Sequence, residues 1–318
     1  MKTQRFNIAL LTLGLAASLA GAALLDPGLL FLLTEVMVIL LLAQMWNLLA
    51  GFGGQVSLGQ QAFVGLGGYL LYFAANATAL PIWVWLALVP LVVGLIAIPL
   101  GLVVFHLKHA YFAVGMWVVA EILTGLFMRF DWLGGPSGII LRPGGQSMTS
   151  NPERPIFFIA SFGFVAVLVG LRLFLKSNIG LALLGMRDNP EAAAASGVDV
   201  RRIHLLVFCI SAVGSAAGGA LYYITTLYIS PSDAFQMNWL VTMMFVSIIG
   251  GLGTLTGPIL GTLLFVVIRE AMNSAGFSGG TYWIVMGGLA VAVLLLAPRG
   301  LWPAFTQFLN ARRQKAQQ

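Results

Sequence analysis

The stretch from residue 36 to residue 107 decides the fold, and it reads VMVILLLAQMWNLLAGFGGQVSLGQQAFVGLGGYLLYFAANATALPIWVWLALVPLVVGLIAIPLGLVVFHL. It contains no Asp, Glu, Lys or Arg over its whole length. Water cannot solvate so long an uncharged segment, whereas a bilayer accepts it as a bundle of transmembrane helices. The stretch therefore predicts a membrane protein.

The rest of the chain has the same character. Hydrophobic residues make up 59% of the 318 residues and charged residues only 8%, whereas a soluble domain carries about 25% charged residues. This composition excludes a soluble enzyme, a disordered chain and, despite the net charge of +6, a nucleic-acid binder. The single cysteine, Cys209, excludes an intramolecular disulfide and a cysteine-built metal site.

The apolar runs are long and unbroken, which favours helices over the alternating ten-residue strands of a membrane barrel. We predict an all-α polytopic membrane protein with about 8–10 transmembrane helices. The predicted spans are 7–25, 28–50, 60–76, 82–105, 110–128, 155–175, 205–228, 238–250, 255–270 and 281–298. The third and the eighth are shorter than the roughly 20 residues that a span needs. Each lies beside a glycine-rich break, which predicts tilted, broken or re-entrant segments.

The placement of the basic residues predicts the topology. With the N-terminus inside, ten spans put twelve of the sixteen Lys and Arg residues on the inside, as the positive-inside rule requires. Both termini and the connection 176–204 are then cytoplasmic, and the loop 129–154 is extracytoplasmic. Lys2 and Arg5 precede the first span, 7–25, which contains Ala20-Gly21-Ala22; this pattern is also typical of a cleavable signal peptide. We favour an uncleaved helix because many spans follow it.

The connection 176–204 is the longest interruption on the predicted cytoplasmic side. Asp188 or Asn189 can cap a helix that begins at the next proline and has a glutamate in its first turn. The alanine run predicts a short helix over 190–196, and Gly197 is a natural stop. Such small side chains allow close approach by another protein. The helix is either a docking element for a partner or a solvated turn between two spans.

The first glycine-rich break runs from Gly51 to Gly59, and a second runs from Gly250 to Gly257. Unwound backbone at membrane depth is tolerated only inside protein or along a wet cavity. A helix that starts after the first break would point its positive end at a substrate carboxylate. Four polar side chains are therefore candidates for the translocation path: Gln55, Ser57, Gln60 and Gln61. The alternative is tight helix packing with satisfied polar side chains. The second break predicts a turn or kink.

Two carboxylates, Glu35 and Glu121, lie within predicted spans. A charge at the bilayer centre costs about 2.5–3.5 kcal/mol on insertion scales. Both residues are therefore candidates for the translocation path or for a proton relay. The alternative is a protonated or hydrogen-bonded packing contact, or a position nearer the interface. Neither glutamate has an obvious lysine or arginine partner in the sequence.

A series of motifs resembles one family of permeases. Glu191, Ala192 and Ala193 followed by Gly197 are similar to the EAA loop of ABC importer permeases. Further motifs follow one another in the order and spacing of branched-chain amino-acid permeases of the LivM type. They are Asn47–Gly59, Ala62-Phe63, Gly65–Tyr69, Tyr111-Phe112-Ala113 with Glu121, Gly134–Gly138, Arg187-Asp188-Asn189, Ser230-Pro231, Gly250–Thr254 with Gly257-Pro258, and Pro298–Leu301. Their colinear order, rather than any single motif, carries the resemblance.

The resemblance implies a type II ABC importer permease with about ten helices and a coupling helix between spans six and seven. It implies a multi-pass protein of the bacterial inner (plasma) membrane. Its expected partners are a second homologous permease subunit, two cytoplasmic ATPases and an extracytoplasmic solute-binding protein. ATP would bind the ATPases, and this chain has no GxxxxGK[ST] motif. The subunit itself is then expected to be non-catalytic and without a cofactor.

The resemblance also implies which residues couple to the ATPases: Arg187, Asp188, Glu191, Ala192, Ala193 and Gly197. Glu191 would accept a hydrogen bond or salt bridge from the ATPase, and Gly197 would set the exit angle of the loop. The alternative function is a secondary transporter driven by an ion gradient, which requires Glu35 or Glu121 and no ATPase. The sequence leaves the solute open among branched-chain amino acids, other amino acids, amides and urea.

Overall fold

The computed structural model describes residues 14, 16, 18–107, 110–142, 152–277, 280–297, 300–304 and 306. Most of these residues are helical. The helices are α1 Pro27–Asn47, α2 Gln61–Ala77, α3 Ile82–Val104, α4 Ala110–Arg129, α5 Glu153–Lys176, α6 Asn178–Asp188, α7 Pro190–Ala195, α8 Val200–Thr226, α9 Pro231–Ala234, α10 Met237–Gly250, α11 Gly257–Ser274 and α12 Gly280–Leu296. A π-helical turn, Leu48–Phe52, continues α1. Two strands of two residues each, β1 Ile139–Ile140 and β2 Tyr228–Ile229, complete the fold.

Five helices among the described residues are long and apolar enough to cross a membrane: α1 with its π turn, α3, α4, α5 and α8. They agree with an all-α polytopic membrane protein, because a helix satisfies its own backbone hydrogen bonds in lipid. Helices α2, α10, α11 and α12 occupy the positions of four further predicted spans. Of the predicted span 7–25, residues 7–13, 15 and 17 lie outside the described part.

Helix α8 is the centre of the packing. It contacts α3 and α2 most extensively, and then α1. The approach is close because small residues face the neighbouring backbones: a Cβ added at Gly219 would overlap the Val64 carbonyl, and one at Gly67 would overlap the Ala216 carbonyl. Small residues at such contacts are typical of helix packing in membranes. Burial differs between the helices: 61% of the most apolar segment of α8 is buried, whereas only 22% of the corresponding segment of α4 is buried.

The loop after α4 is built from two short 3-10 turns and strand β1. Ile139 pairs with Ile229 in an antiparallel arrangement. The Asn76 side chain at the end of α2 donates to the Ile140 carbonyl at 3.1 Å and accepts from the Arg142 N–H at 2.7 Å. Residues 131–142 are therefore fixed on the ends of the helices, whereas residues 143–151 of the predicted loop 129–154 lie outside the described part.

The connection 176–204 contains more structure than the single short helix expected there. An additional helix, α6, precedes α7 and is capped by Ser177, whose hydroxyl accepts the Gly180 N–H at 3.2 Å. Leu183 and Met186 are buried on its inner face. Because α6 packs against α5, α8 and the π turn, the connection is joined to the helix bundle rather than hanging from it.

Candidate translocation and coupling site

Helix α7 is short, capped and exposed. The Asn189 side chain accepts the Ala192 N–H at 3.0 Å, so Asn189 rather than Asp188 is the cap. Gly197 ends the segment with φ of 87°, in the left-handed region that glycine tolerates best. None of the α7 residues is buried. The helix predicted over 190–196 is thus confirmed, and its surface is open to a partner.

The six residues expected to couple to the ATPases belong to one continuous segment. Arg187 and Asp188 end α6; Glu191, Ala192 and Ala193 belong to α7; Gly197 follows it. All are exposed except Ala193, which is half-buried. Glu191 lies in the first turn of α7, where a negative charge stabilises the helix dipole. Its side chain is exposed.

The first glycine-rich break is held against α1. The helix does not stop at Asn47 but widens into the π turn Leu48–Phe52, a feature that often occurs at functional sites. Gly54 then takes φ of 70°, which turns the chain away from the helix. The indole N–H of Trp46 donates to the Ser57 carbonyl at 3.0 Å. The polar backbone of the break is therefore satisfied in part by α1 itself.

The two glycine-rich breaks, Gly51–Gly59 and Gly250–Gly257, contact each other, and we call this contact the break junction. Asn47 joins them through both ends of its amide. Its Nδ2 donates to the Thr254 carbonyl at 2.9 Å, and its Oδ1 accepts the Gly253 N–H at 2.8 Å. One buried side chain thus satisfies two backbone groups of a loop more than 200 residues away.

Further contacts close the break junction. Gln44 Nε2 donates to the Leu255 carbonyl at 2.7 Å. A Cβ added at Gly51 would come within 2.5 Å of the Gly253 nitrogen, so the two backbones touch. The ends of α1 and α10 are therefore held together. They lie on the same side of the bundle as α6, because Arg187 of α6 lies against the junction.

Three of the predicted path residues are buried inside the subunit. Ser57, Gln60 and Gln61 are at most 1% exposed. Gln60 Nε2 donates to the hydroxyls of Ser211 at 2.6 Å and Ser215 at 2.8 Å. The start of α2 therefore faces α8 rather than an open cavity. The close packing agrees with the packing alternative, but Gln60 Oε1 and Gln61 Oε1 are buried without a hydrogen-bond partner among the described residues, so these two side chains are not fully satisfied.

Two other predicted path residues, Glu121 and Gln55, are not fully buried. Gln55 is half-buried and Glu121 is exposed. Glu121 accepts a hydrogen bond from the Trp117 indole at 3.1 Å, on the same turn of α4. Other exposed residues of α4 are large and apolar, including Tyr111 at 74% exposure and Ile122 at 60%. A carboxylate thus lies on the least buried of the five membrane-length helices.

Glu35 has a basic partner, contrary to the expectation from sequence. Arg269 of α11 donates to both of its oxygens, at 2.6 and 2.9 Å, and also contacts Glu270 at 3.4 Å. The sequence analysis missed the pair because 234 positions separate its members. The side chains are 25% and 18% exposed, so the bidentate pair offsets much of the cost of a charge within α1.

Sequence reasoning also missed Gln44, Asn47, Ser211 and Ser215. Each is a polar side chain in an apolar helix, and all four are fully buried. A signal was present, because the two serines are four residues apart and the two amides three apart, which puts each pair on one helix face. No group of three potential ligands among His, Cys, Asp and Glu could hold a metal ion in the part of the chain described.

A bundle of many apolar helices with an exposed short helix, α7, and a polar interior junction is typical of a multi-pass membrane protein. The profile of the family described as branched-chain amino acid transport system / permease component matches residues 28–294. The chain belongs to this family. No solved structure matches it.

Individual relatives agree with the family. The chain is 26% identical to the high-affinity branched-chain amino acid transport system permease protein LivM of Escherichia coli (strain K12), over 95% of this chain and 76% of the relative. It is 28% identical to the "Probable branched-chain amino acid transport permease protein LivH" of Methanocaldococcus jannaschii, over 46% of this chain and 48% of that one. It is 24% identical to the galactose/methyl galactoside import permease protein MglC of Salmonella typhimurium, over 64% and 62%.

These relatives bear out the resemblance stated from the motifs. They are import or transport permeases, and none of the three is an ion-driven carrier by name. The expectation of a transport permease is therefore confirmed, and the secondary transporter alternative gains no support. The relatives differ in the solutes named, amino acids for two and a sugar for the third.

Proposed function

We propose that the chain is the branched-chain amino acid permease subunit of an ATP-driven importer in a bacterial inner membrane. Its partners are a second, homologous permease subunit, two cytoplasmic ATPases and an extracytoplasmic solute-binding protein. It has the type II arrangement, with both termini in the cytoplasm. One observation carries the proposal: α7 is a capped helix without a buried residue, built onto the bundle through α6.

The choice of solute is supported by a relative that aligns over nearly the whole chain. LivM of Escherichia coli aligns over 95% of this chain, whereas the galactoside permease aligns over 64%. Leucine, isoleucine and valine are zwitterions with an apolar side chain, and a path with few charges suits them because they must leave again. The ATPases hydrolyse ATP, and this subunit supplies the path.

The open face of α4 supports a second permease subunit. A carboxylate that faces lipid is costly, and intramembrane carboxylates almost always face a bundle interior or a water-filled cavity. Glu121 faces such a water-filled cavity if α4 meets the partner subunit with the translocation path between them. In this proposal Glu121 and Gln55 line the path, while Glu35, Ser57, Gln60 and Gln61 hold the subunit together.

The break junction links the coupling segment to that path. Closure of the ATPase dimer displaces α7, and α6 transmits the movement to the break junction. At its other end the first break meets α4, because a Cβ added at Gly59 would overlap the Met116 carbonyl. A shift of the break thus moves α4 and exposes the path first to one side and then to the other. Such small rigid-body shifts of packed helices are a common form of switching.

Co-purification with the ATPases in mild detergent tests the proposal. We expect wild type to retain both ATPases and the variant with Glu191→Arg and Gly197→Trp to lose them. The matched control carries Glu153→Arg and Gly276→Trp on the predicted extracytoplasmic side. Like Glu191, Glu153 is an acidic residue in the first turn of a helix. Like Gly197, Gly276 has a positive φ and nothing within 4 Å of an added Cβ. Equal loss in both variants, or no ATPase with wild type, would overturn the proposal.

The solute is tested in proteoliposomes that contain the complete importer and its binding protein. We expect ATP-dependent uptake of labelled leucine that unlabelled isoleucine and valine suppress and galactose does not. Uptake of galactose in place of leucine would reject the amino-acid assignment while leaving the importer assignment intact.

A further inference from the structure

Arg187 is exposed at the end of α6, yet its side chain contacts both glycine-rich breaks. Its Cγ and Cα lie 3.5 and 3.6 Å from the point where a Cβ of Gly54 would be. Its Nη1 and Cζ lie beside the corresponding point of Gly253, Cζ at 3.4 Å. The side chain therefore extends from the first glycine-rich break to the second, with its stem on Gly54 and its guanidinium on Gly253.

Both contact points require glycine. Gly54 and Gly253 have φ of 70° and 74°, which other residues adopt only with strain. A Cβ at Gly253 would also overlap Arg187 Nη1, whereas a Cβ at Gly54 would lie in ordinary van der Waals contact with the stem of Arg187. The two breaks thus present a matched pair of side-chain-free surfaces, and one arginine from α6 covers both.

The electrostatics favour a cation at this point. The π turn that continues α1 ends at Phe52 and α10 ends at Gly250, so the C-terminal ends of two helices meet at the break junction. Each end carries roughly half a negative charge. The Gly51 carbonyl oxygen and Arg187 Nη1 lie against the same side of Gly253. Among the described residues, no carboxylate forms a salt bridge with Arg187.

We propose that Arg187 is a positioning residue that fastens the coupling segment α6–α7 to both glycine-rich breaks, so that displacement of α7 moves the two breaks together. It acts inward on this subunit rather than outward on the ATPase. The proposal rests on the proposed function and refines it. Arg187 is two residues from the cap of α7, so any movement of that helix reaches the arginine first.

The readout is the number of leucine molecules imported per ATP hydrolysed by the reconstituted importer. Arg187→Gln keeps the Cβ–Cγ–Cδ stem of the side chain and removes the guanidinium with its charge. We expect ATPase binding and ATP hydrolysis to remain and the ratio to fall about tenfold, within the roughly 5–150-fold range of coupling between sites. Arg187→Lys, which keeps the charge, is expected to recover part of the ratio. Arg201→Gln is the matched control, because Arg201 is an exposed arginine at the start of α8.

The outcomes separate this inference from the proposed function. Failure of wild type to bind ATPases rejects the proposed function itself. If wild type couples and Arg187→Gln gives the same ratio as Arg201→Gln, the inference alone is wrong. Loss of ATPase binding in Arg187→Gln also overturns it, because Arg187 would then be a docking residue. A fall in the ratio with binding intact supports it.

A measurement on wild type guards against variants that do not fold. Hydrogen exchange is followed in the importer with and without a trapped ATP state. We expect amides of residues 51–59 and 251–256 to change protection together with those of residues 187–197. A change confined to residues 187–197 would overturn the proposal.

Discussion

The break junction and the coupling helix α7 are both polar interruptions of an apolar chain, yet they are built in opposite ways. At the junction, Asn47 gives both ends of its amide to backbone groups of the distant break. In α7 no residue is buried, and the cap Asn189 serves only the helix itself. The junction is closed by contacts within the subunit, whereas α7 is left open. Closed polar groups hold the fold, and open ones are available to a partner.

If this contrast is right, substitutions in closed regions lower stability and those in open regions lower only transport. Gly59→Val is expected to have the largest effect. Its side chain would overlap the Met116 carbonyl, so α4 must move, at a cost of about 3 kcal/mol or more. We expect little monodisperse protein in size-exclusion chromatography. Gly163→Val is the control, because nothing lies within 4 Å of its added Cβ. Similar yields of the two variants would contradict the close contact.

Asn47→Leu tests the junction itself. It leaves the Gly253 N–H and the Thr254 carbonyl without their partner, and each buried unpaired group costs about 1 kcal/mol or more. We expect a loss of about 2 kcal/mol, measured as a lower thermal unfolding midpoint in detergent. Asn238→Leu is the control, since Asn238 is exposed and bonds only a neighbouring side chain. An unfolding midpoint equal to that of the control would show that the junction is not closed.

Glu35→Gln tests whether a carboxylate that is paired with an arginine contributes more to stability than an exposed carboxylate. It removes the charge that Arg269 grips with two hydrogen bonds. Because the pair is neither fully buried nor exposed, we expect a cost of about 1 kcal/mol in the free energy of unfolding. Glu270→Gln is the control, since its contact is longer and more exposed. The expectation fails if Glu270→Gln lowers the unfolding midpoint as much as Glu35→Gln does.

Glu121→Gln is expected to have the smallest effect on stability, below about 0.5 kcal/mol, because Glu121 is exposed. Leucine uptake should nevertheless fall, by about fivefold or more, if Glu121 lines the path. Glu153→Gln, outside the membrane segments of the proposal, should leave uptake unchanged. Normal uptake by Glu121→Gln would remove α4 from the path.

The membrane-length helices were predictable because each is a continuous apolar run, which can be recognised from neighbouring residues alone. The cap, the alanine run and Gly197 likewise made α7 predictable from neighbouring residues. The break junction was not, because its hydrogen bonds join positions more than 200 residues apart. The Glu35–Arg269 pair was missed for the same reason. Helix α6 was missed because its buried face, Leu183 and Met186, is too short to give a periodic signal.

The central claim is that α7 is where an ATPase acts on this subunit. The most direct test places a photo-crosslinker on Ala194→Cys, an exposed α7 position, with Cys209→Ser removing the native thiol. Gly276→Cys carries the same crosslinker on the predicted opposite side. We predict crosslinks from position 194 to the ATPase, with a yield that changes on ATP binding, and none from position 276. Crosslinks to the ATPase from position 276, or none from position 194, would contradict the account.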